Sequence, residues 1–128
     1  IMTNHPEAYG SFLDFSGQEE PTLGTRQQTV DQLFGGDEDA FKAVNPEDLL
    51  NQAISSGAHT YSGISGKFIA GSNDKSAVSA LSHLDNLSNQ AGMSTTFDTV
   101  AGGHSFQVWR VALAHTFDWV AERGGLQV

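Results

Sequence analysis

The feature that most constrains this sequence is the alternation of short apolar segments with longer, helix-like segments between residues 67 and 123. The segment 67–70 is short and apolar at its centre, which is typical of a buried parallel strand. A helix then begins near Ser76, repeats apolar residues at spacings of three and four, and ends at Gly92. A strand rich in β-branched residues follows in MSTTFDTVAG (93–102), and a last helix repeats the apolar residues Phe106, Trp109, Leu113, Phe117 and Val120. This order predicts parallel strands joined by helical crossovers, which is an α/β fold.

The residues before this alternation predict one more strand and three short helices. The run SFLDFS at 11–16, closed by Gly17, has the length and composition of a strand. Thr25 begins a capping box, Asp37 caps a second helix, and Asn45 precedes a proline at the first position of a third helix. We therefore expect three short helices between two strands of the sheet.

The first residues predict the end of a helix rather than its beginning. The segment through Asn4 resembles a helix tail, and Pro6 is expected to stop it before the strand at 11–16. We therefore interpret the 128 residues as a piece of a longer protein.

Composition argues against several classes of function. The net charge is −9 and no run of basic residues occurs, so we expect no binding to nucleic acid and none to an anionic membrane surface. The sequence has no cysteine, so neither a disulfide framework nor a thiolate metal site can form. Four histidines are scattered singly, without the spacing of a metal-ligand motif, and we expect no metal and no cofactor: His5, His59, His83 and His115.

Asp74 and His104 occupy equivalent positions in the predicted fold. Each follows a strand and precedes a helix, and one strand–helix–strand unit separates them. Because ligands and reacting groups gather beyond the carboxyl ends of parallel strands, we expect the two side chains at the same edge of neighbouring strands. Gly102 and Gly103 are expected to turn the chain so that His104 faces the loop of Asp74. Taken alone, Asp74 is an ordinary helix-initiating residue, and His104 is either a residue with a local hydrogen bond at a helix start or a general base.

Four stretches of the sequence are more specific. They are HPEAYGSFLDFSG (5–17), LFGGDEDAF (33–41), FIAGSNDKSA (68–77) and GGHSFQVWRVAL (102–113). Together they resemble the esterases related to esterase D and the antigen 85 mycolyltransferases, which have the α/β-hydrolase fold. The last stretch is the most specific, because histidine–serine–aromatic followed by Trp109 and Leu113 recurs in this family around its catalytic histidine.

The resemblance implies a role for each residue of the pair and a place for the chain in the family's domain. His104 matches the general base, and Asp74 matches the acid that orients it. Residues 1–128 would form the C-terminal portion of a single α/β-hydrolase domain, with 11–16 as the strand after the nucleophile helix. Hydrolases of this fold carry the nucleophilic serine in G-x-S-x-G, and no glycine of this sequence begins that motif. We therefore expect the nucleophile upstream of Ile1.

Residues next to His104 are candidates for contact with a substrate. Ser105 and Phe106 are expected to line the site, although core packing is the favoured interpretation of Phe106. Trp109 and Trp119 lie on or beside the apolar stripe of the last helix and are predicted to anchor the core.

Three further polar features remain. Asp14 and Ser16 end a strand at the reactive edge, and the match of 16–17 to the family's serine–glycine makes them candidates for supporting the site. The acidic run DEDA at 37–40 is predicted to be a solvated helix start.

Two classes of function follow. The first is a serine esterase or acyltransferase acting on an acyl ester through an acyl-enzyme, for which this chain supplies the acid and the base but is itself inactive. The second is a non-catalytic domain of the same fold that binds a partner or ligand. We expect the exposed edge of the strand at 11–16 to pair with the remainder of the same chain or with another copy. The resemblance favours a secreted or cell-envelope location.

Overall fold

The structure is a computed structural model that describes residues 2–18, 20 and 24–125. In chain order its elements are a 3-10 helix (Pro6–Ala8), β1 (Ser11–Phe15), α1 (Arg26–Leu33), α2 (Glu38–Lys42), α3 (Pro46–Ser56), β2 (Ser65–Gly71), α4 (Lys75–Gln90), β3 (Ser94–Val100) and α5 (Phe106–Arg123). The predicted order of strand, three helices, strand, helix, strand and helix is confirmed. The chain has an α/β fold.

β2 is the central strand of a parallel sheet, with β1 on one side and β3 on the other. Ser65, at the start of β2, is level with Ser11 of β1 and with Ser94 of β3. The carboxyl ends of the strands therefore lie along one edge of the sheet, as predicted. β2 is buried along nearly its whole length, whereas the outer edges of β1 and β3 pair with no other strand among the described residues.

α3 and α4 cover one face of the sheet with the main apolar core. Phe68 and Ala70, which alternate along β2, form one cluster with Leu81 and other residues of α4. Phe12 of β1 meets Phe68 edge to face, with ring centroids 5.2 Å apart. The spacing of three and four in α4 predicted its buried face correctly, because the residues it marks are all buried: Ala77, Leu81, Leu84 and Leu87.

α5 contacts all three strands and covers the other face of the sheet. Lys67 alternates with Phe68 and therefore points to this face, where its ammonium group lies 5.2 Å from the ring centroid of Trp119. Arg123 lies 5.3 Å from the same ring. Trp119 is thus half-buried between two cations, whereas the sequence predicted an anchor of the core.

The prediction of the buried face of α5 is wrong. The helix buries Val108, Ala112, Thr116 and Ala121. The large apolar residues that the sequence pattern marks, Phe106, Leu113, Phe117 and Val120, are exposed. Small side chains allow the helix to lie close to the sheet, and the large ones then project away from it. None of the helices in the described ranges is long and apolar enough to cross a membrane.

The three short helices begin with the predicted caps, with one exception. The capping box at Thr25 and the cap at Asp37 are both present. Asn45 makes no capping bond; its side-chain amide donates instead to Asp48 Oδ2 at 2.7 Å and to Glu20. The carboxylates of Asp48 and Glu20 are stronger hydrogen-bond acceptors than a neutral oxygen, so they set the orientation of the Asn45 amide.

Arg26 holds the three short helices together. Its guanidinium group, on α1, pairs with Glu38 of α2 and with Asp48 of α3, each at 2.9 Å, and also with Glu20. It lies 4.7 Å from the ring centroid of Phe41. The acidic run at 37–40 is therefore more than the predicted solvated helix start, because Glu38 belongs to this ion-pair cluster.

The first residues form a turn rather than the predicted helix tail. The N–H of His5 donates to the carbonyl of Met2, and Pro6 begins the 3-10 helix instead of stopping a helix. Proline is well suited to that first position because its missing N–H would have no partner there. The hydroxyl of Tyr61 donates to the carbonyl of Thr3 at 2.7 Å and holds the turn against the connection between α3 and β2.

The core between α4 and β2 gives the first prediction. Leu81 is 0% exposed, so Leu81→Ala is expected to lower the free energy of unfolding by about 2–5 kcal/mol, because it removes buried apolar surface and leaves a cavity. Leu33→Ala, at a side chain that is 61% exposed, is the matched control and should change it by less than about 0.5 kcal/mol. Urea unfolding followed by far-UV circular dichroism measures both. Equal effects of the two substitutions would contradict the position of the core.

Candidate active site

The loops that follow β2 and β3 are bonded to each other at the carboxyl edge of the sheet. The N–H of Ser72 donates to the carbonyl of Val100, and the N–H of Asn73 donates to that of Gly102, each at 2.8 Å. These backbone bonds do not depend on side-chain conformation. They bring the residues just after β2 beside the residues just before α5.

Glycine is required on both sides of this contact. A Cβ atom at Gly71 would lie 2.4 Å from the carbonyl oxygen of Gly103 and 2.5 Å from that of Gly102. Gly102 has a φ of +131°, which residues with side chains rarely adopt, and a Cβ there would meet Val108 at 2.6 Å. The prediction that the glycines before His104 turn the chain toward the loop after β2 is confirmed.

The side chains of Asp74 and His104 meet as predicted. His104 Nδ1 lies 2.7 Å from Asp74 Oδ2. The other oxygen, Oδ1, accepts the N–H of Ala77 at 3.2 Å and caps α4. The Asp74 side chain is 11% exposed and the His104 side chain 59%, so a shielded carboxylate holds an accessible imidazole.

The bond to Asp74 determines which nitrogen of a neutral His104 carries the proton. A carboxylate only accepts hydrogen bonds, so Nδ1 carries the hydrogen and Nε2 presents a lone pair. Among the residues that the structure describes, no hydroxyl is hydrogen-bonded to Nε2. The arrangement can therefore accept a proton at Nε2 and stabilise the resulting imidazolium through Asp74.

Two aromatic side chains of α5 lie beside His104. The Trp109 ring is edge to face with the imidazole at 5.2 Å, and Phe106 meets Trp109 at 5.3 Å. Phe106 is 82% exposed, so its favoured interpretation as a core residue is wrong; it stands at the first turn of α5, away from the helix face that meets the sheet. Trp109 is half-buried, and its contact with His104 was not predicted from the sequence. Ser105, the other candidate, caps α5 by accepting the N–H of Val108 at 3.5 Å.

Asp14 and Ser16 lie at the same edge of the sheet, but no hydrogen bond joins either of them to Asp74 or His104. Burial raises the pKa of the Asp14 carboxyl above its ordinary value, and a hydrogen bond from the N–H of Gly17 at 3.0 Å opposes this effect. Ser16 has a φ of +60°, is buried, and its hydroxyl has no hydrogen-bond partner among the described residues. Asp14 also lines an apolar cavity of about 240 Å³ between the sheet and α3.

The remaining polar candidates lie away from the pair. In the described ranges no group of three or more histidine, aspartate or glutamate side chains could hold a metal ion. His83 of α4 instead lies 3.2 Å from Glu47 of α3. Ser65 and Ser94 each stand two residues after a glycine but lack the second glycine of the nucleophile motif. They begin β2 and β3 and so lie at the opposite edge of the sheet from His104.

Comparison with known proteins adds one relative. The chain is 98% identical over its whole length to an uncharacterized protein of Corynebacterium glutamicum, of which it spans 30%. No family model matches the chain. No solved structure matches it either.

The double role of Asp74 gives a prediction that separates capping from the histidine contact. Asp74→Asn keeps an oxygen for the N–H of Ala77, so the free energy of unfolding should change by less than about 0.5 kcal/mol, whereas Asp74→Ala should lower it by about 1 kcal/mol. With its oxygen accepting the N–H of Ala77, the asparagine offers His104 only its NH2 group, so Nδ1 should become the acceptor and Nε2 should carry the hydrogen. Nitrogen-15 chemical shifts of the imidazole report the tautomer. An unchanged tautomer in Asp74→Asn would contradict the contact.

Asp14 gives a prediction of pH dependence. Its raised native pKa means that the folded chain binds this proton more readily than the unfolded chain, so its contribution to stability falls as the pH rises from 3.8 through the native pKa. Asp14→Asn removes this dependence, and its amide oxygen can still accept the N–H of Gly17. Urea unfolding between about pH 3.5 and 7 should show the variant gaining stability relative to the wild type as the pH rises. Parallel curves for wild type and Asp14→Asn would refute the assignment.

Proposed function

We propose that this chain supplies the acid and the base of a serine esterase or acyltransferase that acts on acyl esters through an acyl-enzyme. The observation that carries the proposal is the 2.7 Å contact between Asp74 and His104 Nδ1, which leaves Nε2 accessible at the carboxyl edge of a parallel sheet. The resemblance of 68–77 and 102–113 to the esterase D and antigen 85 group supports it. The nucleophilic serine and the oxyanion donors lie outside residues 1–128.

The first half of the proposed reaction forms the acyl-enzyme. His104 Nε2 accepts the proton of the serine hydroxyl as its oxygen attacks the ester carbonyl, and the ester π electrons move onto the carbonyl oxygen. Asp74 stabilises the imidazolium through Nδ1–H without itself taking a proton. When the carbonyl re-forms, the bond to the alcohol oxygen breaks and Nε2–H protonates the leaving alcohol.

The second half repeats these steps with a different nucleophile. His104 Nε2 accepts a proton from water or from an acceptor alcohol, whose oxygen attacks the acyl carbon. The serine oxygen then leaves and takes the proton back from Nε2–H. Water gives hydrolysis and an alcohol gives acyl transfer, so both reactions use the same two residues of this chain.

We propose further that the outer edge of β1 pairs with the polypeptide that carries the nucleophile. The backbone groups along that edge pair with no strand among the described residues, and unpaired edges recruit further strands. A polypeptide as long as the C. glutamicum relative would have residues to pair with this edge, because the chain spans only 30% of that relative.

A non-catalytic binding domain of the same fold is the second candidate. It is favoured by one observation, that no described hydroxyl is bonded to Nε2 of His104. The two candidates differ in what accompanies this chain, since the enzyme requires a G-x-S-x-G serine in the same polypeptide and the binding domain does not.

Activity tests the proposal in a polypeptide that contains this chain and has the length of the C. glutamicum relative, here called the full-length polypeptide. It should hydrolyse a chromogenic short-chain ester, and His104→Ala should lower kcat/KM at least about 10⁴-fold, because no other group takes the proton. The control His115→Ala, at an exposed residue of α5, should leave kcat/KM unchanged. Residues 1–128 alone should show no turnover. Hydrolysis by residues 1–128 alone that His104→Ala abolishes would mean that the nucleophile lies within this chain.

A further inference from the structure

α5 carries a row of large apolar side chains that the described chain leaves exposed. Its members are Phe106, Leu113, Phe117 and Val120, which are 82%, 50%, 57% and 39% exposed, and we call them the α5 stripe. At 100° per residue they fall within an arc of roughly 60° along the helix. Their alignment makes them one surface rather than scattered exposed residues.

The α5 stripe is distinct from both the buried side and the polar side of the helix. Three of the buried residues, Val108, Ala112 and Thr116, are centred roughly 110° away in one direction, whereas the buried Ala121 near the end of the helix lies roughly 70° away in the other. Gln107, Ala114 and Asp118 are exposed and lie roughly 100° away in the other direction. A surface helix with a single partner needs one apolar face, so a second apolar face indicates a second partner.

Charge and chain length identify the partner. An anionic membrane surface is disfavoured by a net charge of −9, and a second copy of the chain would bring the same charge. A polypeptide of the relative's length would hold a large occupant, because this chain spans only 30% of that relative. We propose that the α5 stripe binds a segment of the same polypeptide that lies outside residues 1–128.

The position of the stripe gives this contact a consequence for the site. Phe106 is two residues from His104 and touches Trp109, which in turn touches the imidazole. A segment bound on the stripe therefore lies beside the accessible imidazole. The docking of a segment on the stripe does not depend on the proposed function. The further statement that this segment brings the nucleophile toward Nε2 does rest on the proposed function.

Site-specific photo-cross-linking tests the docking in the full-length polypeptide. Phe117 is replaced by p-benzoylphenylalanine, the protein is irradiated, and the cross-linked peptides are identified by mass spectrometry. The matched control places the same photoreactive residue at Ala114, which is exposed on the polar side of the same helix. We expect position 117 to cross-link within one polypeptide to a segment outside 1–128, and position 114 to give no cross-link.

Each other result overturns the proposal. A cross-link between two copies would assign the stripe to self-association, a cross-link to added phospholipid vesicles would assign it to a membrane, and no cross-link at 117 would leave the stripe solvated. The readout requires no turnover, so an inactive protein that gives the expected cross-link would refute the proposed function and keep the docking.

A substitution provides an independent measurement. Phe117→Asp in the full-length polypeptide should lower Tm by at least about 4 °C, because it places a charge in the apolar contact. Ala114→Asp makes the same chemical change on the polar side and should shift Tm by less than about 1 °C. Equal shifts would show that position 117 is solvated, which contradicts the docking.

Discussion

The carboxylate of Asp74 is the interaction on which the arrangement of the site depends. One oxygen accepts the N–H of Ala77 in the first turn of α4, and the other accepts from His104 Nδ1. Because the carboxylate is fixed from two sides, the imidazole is oriented by the same contact that starts the helix. The helix in turn is held by its packing on β2 and β3, so the direction of His104 is set by the main core rather than by a flexible loop.

A second constraint ensures that the two loops reach each other. β2 and β3 are neighbours in register from start to end, so their carboxyl ends are level. The backbone bonds from Ser72 and Asn73 then close the remaining gap, and they are possible only because Gly71 allows the carbonyls of Gly102 and Gly103 to approach it. Strand register and backbone hydrogen bonds therefore bring the two loops together, and the contact between Asp74 and His104 is the one side-chain hydrogen bond described between them. The Arg26 cluster of the short helices takes no part in it.

The parts of this structure that the sequence predicted are those governed by local rules. Alternating apolar segments identified the strands and α4, and the position of Asp74 and His104 after neighbouring strands predicted their contact. The failures occur where a residue has more than one possible partner. Asn45 has the sequence of a cap, but carboxylates beside Arg26 take its amide. Pro6 can stop a helix or begin one, and only the turn at Met2 decides between them.

Prediction from local sequence patterns also fails in α5, and there the failure bears on the proposed function. A search for apolar periodicity in α5 is dominated by its large apolar residues, so the pattern predicts that the wrong face meets the sheet. In the structure the small residues Ala112 and Thr116 are buried instead, because they allow close packing. The consequence is an asymmetry within the pair formed by Asp74 and His104. Asp74 is almost fully enclosed by described residues. The imidazole of His104 is accessible and lies beside the first turn of α5, whose outer apolar side chains are exposed. The orientation of the imidazole is therefore determined within residues 71–108, whereas the proposed partner of α5 would complete the surroundings of Nε2.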